Sequence, residues 1–450
     1  MLSVLRKYKL TFLFVYITLW TALASTPMNE VFHFPKIATQ FFSLMLYVPF
    51  FLLILYKFFK DLQCFRLHGA NILYYLFAIY YVILSAVRLL NGAEVKESIY
   101  YTVVLLGCFA LFLMLADGVI RMSAEQYQRD LFAIGAYIIV LKLLFVFLEG
   151  GFFSLPPINN LYSTSMLVML LPFMVCGFQQ NKGLRGRLLW IAYWLSVALI
   201  LVCSSRAITL LAFAVLGVTF FLILDKHWNW LKFLSGLLCA VLLVCLLTVC
   251  NVGLVRRSLY RGFGIVIGST SEMQTGTPGD GIEDEFEMQL NIDSQIDRSD
   301  SMRADLQKTG LAEIKKNPIF GTGDLYYTYD MGYKTMEQTA HNFILECLVC
   351  YGALGLLMIG VLLLLILIRC GFLQKPSRQS IAPAVCLLLV MLHYFALGFV
   401  QPSVFNTLLC PLFFLLVAYY GTLLPKRPRA ACKSISLLKL GKDPSHGSEE

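Results

Sequence analysis

Long runs of apolar residues alternate along this chain with short polar breaks. Twelve such runs lie at about 10–25, 37–56, 71–90, 98–116, 131–149, 161–178, 188–203, 207–224, 233–252, 341–368, 381–400 and 404–424. As helices, runs of roughly 20 residues cover the ~30 Å of a bilayer's hydrocarbon. The pattern predicts an all-α, polytopic integral membrane protein of about twelve transmembrane helices. It also divides the chain. Residues 1–252 form a membrane domain with spans one to nine, and 253–340 a large polar loop. Residues 341–424 carry spans ten to twelve, and 425–450 are a polar tail.

Composition agrees. The chain has 450 residues, of which 58% are hydrophobic and 14% charged; a soluble chain carries about a quarter charged residues. The net charge of +9 does not argue for nucleic acid, because the basic residues sit mostly in short loops between spans. Thirteen cysteines are present, most of them in apolar runs: Cys108, Cys176, Cys203, Cys239, Cys245, Cys347, Cys386 and Cys410. None lies between Asn251 and Glu346, where an extracellular disulfide framework would be. Cys347 and Cys350 have redox-motif spacing but sit inside a span, so they read as small packing residues.

Lysine and arginine in short loops mark the cytoplasmic side. Alternate loops hold Lys57, Lys60 and Arg66; Arg121 and Arg129; Lys182, Arg185 and Arg187; Lys226 and Lys232; Arg369, Lys375 and Arg378. The tail adds Lys426, Arg427, Arg429 and Lys433, whereas the opposite loops hold little beyond Lys36 and Lys96. Both termini are therefore expected in the cytoplasm, with the 253–340 loop and the Ser204-Ser205-Arg206 turn outside. The first run follows Arg6, Lys7 and Lys9 and ends in Ala22-Leu23-Ala24, the layout of a signal peptide; in a polytopic chain a retained first span is expected. No internal repeat divides the chain as it would a two-half transporter.

Within the loop, Gly262–Gly281 is rich in Gly, Ser and Thr. The acidic run Glu283, Asp284, Glu285 and Glu287 does not have the spacing of a calcium loop and reads as a solvated patch. Asp300 or Ser301 can cap a helix near 301–316, with Met302, Leu306, Gly310 and Ile314 on one face. Pro318 stops it.

Three residues stand out chemically. Arg206 opens a span at the outer surface, where it reads either as a snorkelling anchor or as a clamp for phosphate, which the guanidinium fork suits. Arg303 lies near the start of the loop helix and reads either as a solvated charge or as a second clamp; Arg256, Arg257, Arg261 and Arg298 compete for that role. His341 stands where the loop enters the tenth span. The electropositive start of a helix disfavours an imidazolium there, and a neutral imidazole can serve as a general base; capping is the other reading. Lys142 and His393 lie inside spans, where an ionisable group is either functional or held by a partner. Glu346, five residues beyond His341, does not share its helix face.

Three features occur in order: Ser205-Arg206 opening a span; Arg303 ahead of Asn317-Pro-Ile-Phe-Gly-Thr-Gly323; and His341-Asn342 followed by Gly352-Ala-Leu-Gly355. Over about 200–365 this set resembles the bacterial O-antigen ligase and O-antigen polymerase superfamily. The resemblance implies metal-independent, inverting glycosyl transfer outside the plasma membrane, with no cofactor. The donor would be a saccharide on undecaprenyl diphosphate, and the acceptor a hydroxyl of another saccharide or of a lipid-anchored acceptor. It implies His341 as catalytic base, and Arg206 and Arg303 as binders of the substrate diphosphate. Membrane lipids and other polysaccharide-assembly proteins are the remaining expected partners, with no nucleic acid. The rival reading is a transporter or flippase of the same lipid-linked saccharides.

Overall fold

The computed structural model describes residues 8–24, 33, 35–64, 69–91, 96–117, 119–147, 160–181, 183–201, 206–224, 229–250, 304–324, 327–330, 335–338, 342–371, 381–399 and 407–424. Among the described residues, nine helices precede the polar loop: α1 (Lys9–Leu23), α2 (Lys36–Cys64), α3 (Ala70–Leu90), α4 (Lys96–Ala116), α5 (Ala124–Phe147), α6 (Asn160–Gln180), α7 (Leu184–Leu201), α8 (Arg206–Leu224) and α9 (Asn229–Cys250). Within the loop lie α10 (304–316) and the strands β1 (Tyr327–Asp330) and β2 (Thr335–Gln338). The chain ends with α11 (Phe343–Arg369), α12 (Ile381–Gly398) and α13 (Leu409–Leu423).

Each of the twelve apolar runs carries a helix. In hydrocarbon the backbone has no water to bond, so a helix, which satisfies its own N–H and C=O groups, is the form such a run takes. Among the described residues, six helices (α2, α3, α4, α7, α11 and α12) are long and apolar enough to cross a membrane by length and composition. The surface agrees: Leu52, Ile79, Leu90, Leu210 and Phe221 are exposed, while Lys57, Asp61, Asn71, Ser163, Thr164 and Ser165 are buried. Apolar groups outside and polar groups inside suit lipid as the surrounding medium. At the centre is α13. Leu409 through Tyr420 are all buried, as expected of a helix that is apolar all round.

Long-range hydrogen bonds fix which helix ends share a face. At one end, Thr11 (start of α1) donates to Asp130 in α5 at 2.8 Å, and Gln128 to the Tyr419 hydroxyl near the end of α13 at 3.0 Å. Asn71 (start of α3) donates to Asp117, just beyond α4, at 3.1 Å, and Arg369 (end of α11) to the same carboxylate at 2.9 Å. At the other end, Thr21 meets Thr407 at 3.4 Å. There Lys142 (late in α5) donates to Thr164 (early in α6) at 2.8 Å. Late α6 meets early α7 through the rings of Phe178 and Trp190, 4.8 Å apart, so α7 ends at this second end and α8, beginning five residues later, starts there. The helices alternate in direction, as spans must.

The structure corrects the sequence reading at two places. Lys57 and Lys60 were expected in a loop, but α2 continues through them to Cys64. Lys57 is fully buried and donates to Asp61 at 2.5 Å and to Asn71 at 3.0 Å, while the Tyr75 hydroxyl donates to Asp61 at 2.9 Å. Asp61 lies one turn on, at i+4, so the lysine's charge is met within its own helix. Second, the otherwise helical described residues include one short hairpin that the sequence reading did not foresee. β1 and β2 pair antiparallel, with Tyr327 opposite Gln338 and Asp330 opposite Thr335. Tyr327, Thr328 and Tyr329 favour an extended chain, but four-residue strands leave little periodic signal.

Removing one partner of a buried ion pair leaves the other charge uncompensated. Asp61→Ala should therefore destabilise the protein by about 3–5 kcal/mol. Thermal unfolding in detergent should show a marked drop, with part of it recovered in the double variant Lys57→Met, Asp61→Leu. An Asp61→Ala protein as stable as the native one would contradict this account of the pair.

Candidate functional site

The site is built around a break in α11. At Gly352 the backbone leaves the helix, with φ +65° and ψ −175°. A straight helix would pair the N–H of Ala353 with the carbonyl of Val349, and that of Leu354 with Cys350. The break separates these four groups, and buried backbone groups need partners. The turn 317–323 supplies all of them. Thr322 N–H donates to Val349 C=O at 2.6 Å and Gly323 N–H to Cys350 C=O at 2.9 Å. In return Ala353 N–H donates to Pro318 C=O at 2.9 Å and Leu354 N–H to Ile319 C=O at 3.1 Å. Two bonds within a helix become four between segments.

Glycine makes this approach possible. A Cβ on Gly352 would lie 2.2 Å from the Ile319 oxygen, and one on Gly321 would lie 2.4 Å from the Gly352 nitrogen. Both residues have positive φ, which side chains with a Cβ rarely adopt. Neighbouring helices hold the joint. The Tyr80 hydroxyl lies 2.7 Å from the carbonyls of both Phe320 and Tyr351. Tyr351, buried, meets Thr102 at 2.8 Å. The Arg88 Nε donates to the Thr322 carbonyl. Ser98 donates to Asp324 at 2.7 Å.

The joint sits at the end of the bundle where α11 begins. Asn342 caps that helix, accepting from the N–H groups of Ile344 at 3.0 Å and Leu345 at 3.3 Å. An oxygen acceptor is what the exposed N–H groups of a first turn require. Its side-chain amide also reaches the Phe399 carbonyl, just past α12, at 3.4 Å. Helix α10 lies against the same turn. Leu306 and Val349 are buried together, with Ile314 and Leu345 packed on them.

Arg206 is the first residue of α8 and its backbone stands at this same end of the bundle. Arg303, its competitor Arg298, and His341 lie outside the described residues, as do Ser204, Ser205, Tyr326, Tyr333 and the acidic run. Arg303 directly precedes α10, and His341 directly precedes the Asn342 cap. Leu306, three residues beyond Arg303, and Leu345, four beyond His341, belong to one cluster. Lys142 is buried and donates to Thr164. His393 is buried on α12. Cys347 and Cys350 are buried free thiols, as packing residues would be. Among the described residues, no three His, Cys, Asp or Glu side chains converge as a metal site would require.

Sequence reasoning missed Tyr80, Arg88 and Ser98. They lie far from the loop in the chain and inside or beside apolar runs, so no local spacing announces them. It did single out Asn317–Gly323 and Gly352–Gly355, but not that the two bind each other.

Residues 191–360 match the family model described as O-Antigen ligase. The match runs from within α7 through the joint into α11, and so includes α8, α10 and the turn 317–323, but not α3, α4, α5, α6 or α12. No curated protein and no solved structure matches the chain.

Strain at a positive φ costs about 1–3 kcal/mol where a Cβ is present, and at Gly352 a clash with backbone is added. Gly352→Ala should lower the unfolding temperature clearly. Gly360→Ala, whose new Cβ would meet nothing within 4 Å, should leave it unchanged. Equal behaviour of the two variants in a thermal melt would refute the joint.

Proposed function

We propose that this member of the O-antigen ligase and polymerase superfamily is a glycosyltransferase. It moves a saccharide from undecaprenyl diphosphate to an acceptor hydroxyl at the outer face of the plasma membrane. The reading is supported by one observation above the others. The segments flanking all three candidate residues start at one end of the bundle: α8 at Arg206, α10 just after Arg303, and α11 just after His341.

In this reading the chain spans the membrane twelve times with both termini cytoplasmic. Residues 1–252 and 341–424 form the membrane domain, and 253–340 the outer loop. The acceptor oxygen attacks the anomeric carbon from the face opposite the diphosphate, so the configuration inverts. As the new C–O bond forms, the bond to the diphosphate oxygen breaks. The acceptor proton passes to the His341 imidazole. Charge developing on the departing lipid diphosphate falls on Arg206 and Arg303, and preorganised cations are most effective where charge develops. With two guanidinium groups at the diphosphate, the transfer proceeds without a metal. The joint serves this chemistry by holding the start of α11 and the end of α10 in fixed register, because small displacements of reacting groups are costly in rate.

Positioned general bases contribute about 10²–10⁴-fold. His341→Ala should therefore lower transfer from a lipid-linked donor by at least two orders of magnitude while donor binding persists. Arg206→Lys and Arg303→Lys should both weaken donor binding, because an ammonium cannot reproduce a two-pronged contact. The assay is saccharide transfer in membranes containing the full-length chain. Undiminished transfer by His341→Ala would remove the proposed base.

A further inference from the structure

A cavity lies at the opposite end of the bundle from the joint. Helix α11 has 27 residues, so its two ends stand about 40 Å apart. The cavity, of about 630 Å³, opens at the Arg369 end between the ends of α4, α11 and α13 and the start of α5. Among the described residues its charged lining consists of Arg121 and Arg369, with no carboxylate. Ser123 and Gln126 add polar groups, while Phe112 and Ala418 are among the apolar ones.

The charges behind this cavity can be counted. Arg369 is held by Asp117 at 2.9 Å, and Asp117 also accepts from Asn71 at 3.1 Å. Asn71 in turn accepts from Lys57 at 3.0 Å, whose own charge is met by Asp61. Two cations, Lys57 and Arg369, are thus matched by two anions, Asp61 and Asp117. Arg121 is left over and makes no salt bridge among the described residues. One positive charge therefore faces the cavity without a counterion there. The first turn of α5 stands beside it, closed by Ser123 and Gln126 bonding each other's backbone at 3.2 and 2.8 Å.

We propose that this cavity binds the phosphate headgroup of an anionic phospholipid, with Arg121 as its principal contact and Arg369 as a second, prepositioned one. The chemistry fits. Guanidinium groups hold phosphate through paired, charge-assisted bonds. The volume is that of a small-molecule site. Its apolar wall, at the end of membrane-spanning helices, suits the glycerol and first methylenes of a lipid better than a free ion. Basic pockets between transmembrane helices are a recurrent headgroup site on the cytoplasmic side, the side that the basic loops assign to this end.

The site stands apart from the proposed transfer chemistry, so its test does not depend on that reading. Purified full-length protein in neutral detergent is titrated with phosphatidylglycerol, with phosphatidylcholine and with inorganic phosphate, and the unfolding temperature is recorded. Binding to the folded state alone raises it in proportion to affinity. Phosphatidylglycerol should raise it and the other two should not. Arg121→Gln, at an exposed position, should unfold like the native protein without lipid but bind phosphatidylglycerol about tenfold more weakly. Arg121→Lys should fall between. If Arg121→Gln alone fails to fold, the ratio of co-purified phosphatidylglycerol between native and Arg121→Lys proteins, by mass spectrometry, decides the matter. Equal shifts with phosphatidylcholine, a shift unchanged in Arg121→Gln, or an unchanged co-purification ratio would overturn the proposal. An equal shift with inorganic phosphate would overturn the lipid as the ligand.

Discussion

A helix that crosses a membrane can break only where something else takes its backbone bonds. In α11 the break at Gly352 frees two carbonyls and two N–H groups, and the turn Pro318–Gly323 takes all four. Leaving such groups unpaired in a low-dielectric setting costs several kcal/mol for each. The loop segment and the broken helix therefore have to form together. Pro318, which has no N–H, is used only as an acceptor. Gly321 and Gly352 stand where each backbone would meet the other's Cβ. The order of residues in both motifs follows from this exchange.

The joint has consequences at the start of α11. Asn342 closes that helix and touches the chain beyond α12, while α10 packs Leu306 on Val349. Tyr80, Arg88 and Ser98 tie the turn to α3 and α4. A polar loop attached to membrane spans only at its ends would not hold the residues of a site in register. Here the loop's last part is fastened between two helices of the first half and the broken one. The match over residues 191–360 covers the loop side of this arrangement. The helices that brace it, α3 and α4, lie outside the matched residues.

Much of the scaffold was legible in the sequence, because hydrophobic runs and lipid leave the backbone little choice. The face of α10 was legible too: Leu306 and Gly310 recur at i, i+4 and are buried. What escaped was interaction at a distance. Lys57 looked like a loop residue because its partners Asp61 and Asn71 are recognisable only once α2 and α3 are packed. Tyr80 and Phe320 are 240 positions apart, and nothing local marks the tyrosine. Of the candidate site, the backbone of Arg206 can be followed to the start of α8, while Arg303 and His341 lie outside the described residues, next in sequence to Ala304 and Asn342. The hairpin was missed because four-residue strands give no periodicity.

The joint is open to direct measurement by hydrogen exchange of the full-length protein in detergent. The four amides of Thr322, Gly323, Ala353 and Leu354 lie in a loop and beside a glycine break, where unbonded groups would exchange freely. The account predicts that they exchange as slowly as amides inside α11, and that all four accelerate together when Tyr80 is replaced by Phe. Exchange at the rate of unstructured chain would contradict it, as would acceleration confined to one segment.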